Sequence, residues 1–142
     1  MKKVLFALAA FFVLAAWTTN SKQILNGGTK FTFDLLGTTC DPNASGTATL
    51  VLNQGQGTIS YQLTTSNTSS TVFAAHIHDD LSSDLITLNA PVNGISQGVV
   101  NLSKEKIKEI RQNPEEYYVN IHTRVINSVG CPGGALKGYL SK

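Results

Sequence analysis

The sequence lacks the motifs by which the common enzyme classes are recognised. It contains no G-x-S-x-G nucleophile elbow, no phosphate-binding P-loop and no glycine fingerprint of a dinucleotide-binding fold. Serines are frequent, but no serine stands in a recognisable partnership with a base. These absences favour a protein that is not an enzyme over an enzyme of these classes.

An excess of basic charge is also missing from most of the chain. The whole sequence has 11 Lys and Arg against 9 Asp and Glu, and its first 21 residues hold two lysines and no acid. Residues 22–142 are therefore balanced at nine of each. Proteins that bind nucleic acid carry a clear basic surface. We expect no nucleic-acid partner.

Long apolar runs are absent after residue 16. The single run, residues 4–16, has 13 residues and follows the basic start Met1-Lys2-Lys3. A membrane-spanning helix needs about 20 apolar residues. The short run and the small polar residues after it predict a cleavable signal peptide over residues 1–21. A buried core helix is the alternative, but the basic start favours export, to a secreted or periplasmic location with no membrane anchor left after cleavage.

Cysteine is scarce, and the paired C-x-x-C spacing of a zinc site is missing. The two cysteines, Cys40 and Cys131, both follow the predicted signal peptide. An even count in an exported chain favours a disulfide. Two free thiols or two thiolate metal ligands are the alternatives.

The rest of the chain shows the alternation of β-strands. Residues 22–29 form a glycine-containing linker, and residues 30–142 form one domain. In residues 31–35 three apolar side chains alternate with Thr32 and Asp34, the period of a strand with one buried face. Further strands are predicted at residues 47–52, 58–64, 72–78, 86–88, 97–102, 117–123 and 135–140. The fold class is all-β, an antiparallel Greek-key-like sandwich or barrel of about seven to nine strands.

One segment has the period of a helix. Ser103 can cap a short helix over residues 104–112, which ends before Pro114, and Ile107 and Ile110 form its apolar stripe. The residues expected in the core are Phe33, Leu50, Ile59, Tyr61, Phe73, Ile77, Val100, Val119, Ile121 and Leu140.

The three histidines are the only residues placed like a functional site. Side chains alternate between the two faces of a strand. His76 and His78 therefore share the face opposite their apolar neighbours in residues 72–78, and His122 lies opposite the apolar positions of residues 117–123. All three imidazoles are predicted to project away from the core.

An H-x-H pair can hold a metal ion, because its Cβ atoms lie about 6–7 Å apart along a strand. A third imidazole from a neighbouring strand gives a three-nitrogen site for copper or zinc, with one coordination position open. Asp79, Tyr118 and Asn120 are expected to support the imidazoles. The alternative is a polar network in which the histidines bond to backbone carbonyls, Tyr118 or Asn120.

At these residues the chain resembles the CHRD domain, the module named after chordin. The likeness covers about residues 30–142. It rests on four ordered motifs: residues 45–49 (S-G-T-A-T), 75–78 (A-H-I-H), 118–123 (Y-V-N-I-H-T) and 132–140 (P-G-G-A-L-K-G-Y-L). Three departures stand out, and one of them is the stretch from Arg124 to Cys131, which is longer than is typical of the family. The family usually has a glycine soon after its H-I-H, where this chain has Asp79-Asp80, and it usually ends in G-E-I-R-G, where this chain has Ala135 and Lys137 for the glutamate and arginine.

The resemblance implies an exported, non-catalytic binding or structural module with an extracytoplasmic ligand or protein partner. A weaker likeness links the H-x-H strand to copper/zinc superoxide dismutases, which are Greek-key barrels, and this is an analogy at the level of the fold. The alternative function is therefore a copper- or zinc-binding protein that uses His76, His78 and His122. A third, weaker option is dismutase-like redox activity at the same site.

Overall fold

The computed structural model describes residues 28–81, 85–124 and 134–140. The predicted signal peptide, residues 22–27 of the predicted linker and Cys131 lie outside these residues, so the predicted bridge between Cys40 and Cys131 stays a prediction. In the described part of the chain, no helix has the length and hydrophobicity needed to cross a membrane.

Eight strands and one α-helix make up most of the described chain. In order they are β1 (Thr29–Gly37), β2 (Ser45–Asn53), β3 (Thr58–Ser66), β4 (Val72–Asp79), β5 (Leu85–Leu88), β6 (Ile95–Asn101), α1 (Lys104–Gln112), β7 (Tyr117–Thr123) and β8 (Leu136–Tyr139). A short 3-10 helix, Pro114–Glu116, joins α1 to β7.

The strands form one antiparallel sheet in the order β5-β4-β7-β8-β1-β2-β3-β6. The chain runs β1-β2-β3 as neighbours, crosses to the hairpin β4-β5, returns to β6 and then places β7 beside β4. The sheet curves into a nearly closed barrel. The predicted all-β antiparallel fold with one short helix is confirmed.

The core follows from the alternation read in the sequence. Along β3 buried and partly exposed residues alternate strictly, with Ile59, Tyr61 and Leu63 turned inward. Each inward side chain removes apolar surface from water, at about 25 cal/mol per Å². Eight of the ten predicted core residues are buried; Val100 is only partly buried and packs against the core.

The exception is Phe73, which was predicted to be buried and is 52% exposed. The pairing of β4 with β7 shifts register between Val72 and Ala74, where β4 carries a bulge. A bulge inserts one extra residue and interrupts the alternation of faces. As a result Val72 takes the inward position and Phe73 turns to the outside.

The predicted helix is confirmed with the same bounds. The Ser103 hydroxyl accepts a hydrogen bond from the Lys106 backbone N–H at 3.1 Å, so it caps the first turn. Ile107 and Ile110 are fully buried in the core of the barrel. The helix therefore packs its apolar stripe on the inner side of the sheet and leaves the outer faces of β4 and β7 uncovered by it.

Replacing Ile121 with Ala tests the assignment of the faces. Ile121 lies on β7 and has no exposed surface. Removing its buried side chain should lower the free energy of unfolding by about 2–5 kcal/mol, as in other core truncations. Chemical denaturation measures the loss. The matched control is Gln62→Ala on an outward position of β3, which should cost less than about 0.5 kcal/mol. A similarly small cost for Ile121→Ala would show that the faces are reversed.

Candidate functional site

The pairing of β4 with β7 brings the three histidines to one place on the barrel. His78 stands opposite Tyr118, His76 opposite Asn120, and Ala74 opposite His122. The histidines therefore occupy successive outward positions on two neighbouring strands, as the alternation predicted. The small side chain of Ala74 leaves room beside His122 for the two imidazoles of β4.

The three imidazoles converge. Each offers one nitrogen, and these three nitrogens all lie within 4.8 Å of one another. The ring centroids of His76 are 5.6 Å from His78 and 5.2 Å from His122, and His78 and His122 are 6.5 Å apart. Nitrogens bound at about 2.0–2.1 Å to one ion lie about 3–4 Å apart. If the rings rotate so that the nitrogens come about 1 Å closer to one another, all three can therefore bind one metal ion.

The hydrogen bonding of the cluster does not match a satisfied polar network. Nδ1 of His76 and Nε2 of His78 are buried, and neither has a hydrogen-bond partner among the residues that the structure describes. A buried polar atom without a partner costs about 1–3 kcal/mol. These two nitrogens therefore argue against a network of protein hydrogen bonds, and unprotonated ring nitrogens without a partner are available to bind a metal ion.

The electrostatics of the cluster keep its imidazoles neutral. Burial lowers the pKa of His76, and the neighbouring His122 and His78 lower it further by repulsion between protonated rings. Burial also lowers the pKa of His78, with His122 and Lys137 adding to the effect. Burial alone lowers the pKa of His122. At neutral pH all three rings are therefore uncharged, the form that binds metal ions.

Tyr118 and Asn120 lie beside the histidines, as expected. The Tyr118 ring stacks on His78, with centroids 5.0 Å apart and planes 7° from parallel. Asn120 stands between His76 on β4 and Lys137 on β8. It is only 4% exposed, because the backbone at Gly134 covers its amide. A Cβ at Gly134 would collide with that amide, and the φ of +73° there also favours glycine.

Asp79 lies elsewhere, and the expectation that it supports the histidines is corrected. It follows Ala75 and Ile77 in the alternation of β4, on the face opposite the histidines. One carboxylate oxygen lies 3.6 Å from Nζ of Lys106 on α1. The other accepts a hydrogen bond from the backbone N–H of Leu81 at 2.8 Å. Asp79 therefore ties the end of β4 to the helix.

Sequence reasoning missed the neighbours that β8 supplies. Nζ of Lys137 lies 3.6 Å from the ring centroid of Tyr118 and 4.5 Å from that of Tyr139. Asp80 holds Lys137 at 3.7 Å and accepts a hydrogen bond from the Tyr139 hydroxyl at 2.9 Å. Alternation does place Lys137 and Tyr139 on one face, but only the strand order shows that this face adjoins β7.

It also missed the pair beyond His122. The exposed Phe73 ring lies 6.1 Å from the His122 ring, and the Arg124 guanidinium carbon lies 5.7 Å from the centre of Phe73. No signal in the sequence indicated this contact, because the bulge that turns Phe73 outward is not visible in the alternation.

Comparison with known proteins agrees with the resemblance seen in the motifs. The family model for the CHRD domain matches residues 31–140, which is most of the chain. Neither the curated proteins nor the solved structures contain a match to this sequence. CHRD domains are modules of an extracellular type in general. The chain belongs to the CHRD domain family.

Proposed function

We propose that the protein is an exported, non-catalytic binding module of the CHRD type, and that it binds a transition-metal ion at His76, His78 and His122. The observation that carries the proposal is the meeting of the chain's only three histidines, whose nitrogens lie within 4.8 Å of one another. Two strands that are distant in sequence contribute them, so the cluster is not a consequence of local spacing.

The chemistry of the ligands favours copper, with zinc second. Within the described residues, the group that could hold an ion contains histidines alone, without a carboxylate or a thiolate. Imidazole suits copper and zinc, and a site of given nitrogen ligands binds Cu²⁺ more tightly than Zn²⁺. Three protein ligands leave at least one coordination position open to solvent, since all three histidines are partly exposed.

The barrel holds the site in place without help from a metal. Both contributing strands are paired on both sides, β4 with β5 and β7, and β7 with β4 and β8. The inward residues of these strands, Ala75, Ile77, Val119 and Ile121, are buried in the core. We therefore expect the metal-free protein to fold, unlike small domains whose folding energy comes from the metal.

The substitution His78→Ala should remove tight copper binding and leave the fold intact. Loss of a partner that merely orients a metal ligand already weakens binding by about 10–100-fold. Loss of one of three ligands should weaken it by more than about 100-fold. Competition titration against a copper chelator measures the affinity, on protein without a histidine tag, and circular dichroism checks the fold.

The matched control for this measurement is Gln62→Ala, which changes a strand residue on another part of the barrel. It should bind copper as the wild type does. A wild-type protein that binds no copper, together with a His78→Ala protein that fails to fold, would support the polar network instead.

Copper affinity should fall when the pH is lowered. The pKa of each histidine lies below its ordinary value. Protons should therefore compete less at neutral pH than they do for ordinary histidines, whose pKa is about 6.5. Below that value protonation should weaken binding progressively. A series of chelator competitions between pH 8 and pH 5 should show this profile. An affinity that kept rising steeply above neutral pH would contradict the lowered pKa values.

Export and the disulfide belong to the same proposal. Support for export comes from the predicted signal peptide over residues 1–21 and from the extracellular type of the family. Support for the bridge comes from the Thr38 hydroxyl, which donates to the carbonyl of Gly134 at 2.7 Å and accepts from the backbone N–H of Cys40 at 3.2 Å. The chain three residues after Cys131 is therefore tied to the turn that carries Cys40.

Thiol titration tests the bridge. Protein purified from an oxidising compartment and denatured without reductant should show no free thiol, because Thr38 bonds both to Gly134, three residues after Cys131, and to Cys40. The same sample should show two thiols after reduction. Two thiols before reduction would overturn the bridge, and leave the metal site untouched.

A further inference from the structure

Two positive charges lie beside the three-histidine cluster, and each is held on an aromatic ring. On one side the Tyr118 ring contacts His78 of β4 and Lys137 of β8. Because β7 lies between β4 and β8, the tyrosine ring separates the ammonium group from the imidazole. The ammonium group is attracted to the face of the ring and is kept near the site.

A second arrangement of the same kind lies on the other side. The Phe73 ring contacts His122, and the guanidinium group of Arg124 lies over Phe73. The bulge in β4 creates this arrangement, because it turns Phe73 outward beside His122. Phe73 is half exposed and Arg124 is exposed, so the charge stays at the rim of the site.

The acidic residues nearby do not cancel these charges. Asp80 lies 3.7 Å from Lys137 and neutralises it in part. Asp79 turns to Lys106 on the helix side. For Arg124 the described chain shows no ion pair with a carboxylate. A divalent ion on three neutral imidazoles adds two further positive charges, and no ligand there carries a negative one.

We propose that the open coordination position of the metal-loaded site binds a small anion, which Arg124 and Lys137 attract from either side of the cluster. This inference rests on the proposed function. The anion binds the metal through one donor atom and displaces solvent. It is a small species, because the Phe73 and Tyr118 rings flank the cluster. Each ring contacts both a cation and an imidazole, so the two charges act on the anion through space.

Azide titration of the copper-loaded full chain tests the inference, because an azide-to-copper charge-transfer absorption reports the bound anion. Copper content is measured first for every variant. Each charge lies one aromatic ring from the cluster, so the double change Arg124→Gln with Lys137→Gln should weaken azide binding by about fivefold at about 0.01 M ionic strength. The difference should vanish at about 1 M, where charges are screened within about 3 Å. Perchlorate, which coordinates weakly, sets the ionic strength.

Two further variants test whether azide affinity follows the positive charge beside the cluster. Asp80→Asn frees Lys137 from its partner and should strengthen azide binding, whereas Arg124→Lys keeps the charge and should bind as the wild type does. The control Lys30→Gln removes a charge from β1, away from the cluster, and should change nothing.

The outcomes separate the inference from the function. A wild type that takes up no copper overturns both. Copper-loaded variants with unchanged azide affinity overturn the role of the two cations and leave the metal site standing. If the double variant loses its copper, the Asp80→Asn variant provides the test. An azide affinity of copper-loaded Asp80→Asn that does not rise above that of the wild type overturns the inference.

Discussion

The antiparallel register between β4 and β7 is the constraint on which both the core and the site depend. The same ladder that sets Ile77 opposite Val119 on the inner face sets His78 opposite Tyr118 on the outer face. A slip of one residue would move every side chain of a strand to the other face. The buried residues therefore hold the histidines in register, and the energy that maintains the site comes from burial inside the barrel.

Period-two alternation made much of this predictable. It located all eight strands, and it placed the three histidines opposite the core, because both depend only on neighbours in sequence. It could not give the strand order, which depends on pairing between distant segments, so Lys137 was not linked to the site. The bulge at Phe73 was equally invisible. Asp79 is different, because alternation itself places it on the inner side with Ile77. The prediction that it supports the histidines relied on its carboxylate and ignored the face of the strand on which it lies.

Two of the departures from the usual CHRD pattern lie close together in space. Asp80 belongs to the acidic pair that follows H-I-H, and Lys137 replaces the usual arginine near the end. Their side chains form an ion pair at 3.7 Å, and the Tyr139 hydroxyl donates to the same carboxylate. An exposed pair of this kind contributes little stability. Its effect is better described as electrostatic, because Asp80 neutralises part of the charge that Lys137 brings to the Tyr118 ring.

The core and the site lie on opposite faces of β4 and β7, so substitutions can change one without changing the other. Substitutions on the outer faces of β4 and β7 alter ligands and charge without removing buried apolar surface, so the site can vary while the barrel persists. The bulge in β4 is the exception, because it affects both the core and the site. It fills the inner position with Val72 and turns Phe73 outward, so one local irregularity completes the core and also brings the Phe73 ring beside His122. Removing the extra residue would restore strict alternation, turn Phe73 inward and take from Arg124 the ring that holds it at the rim.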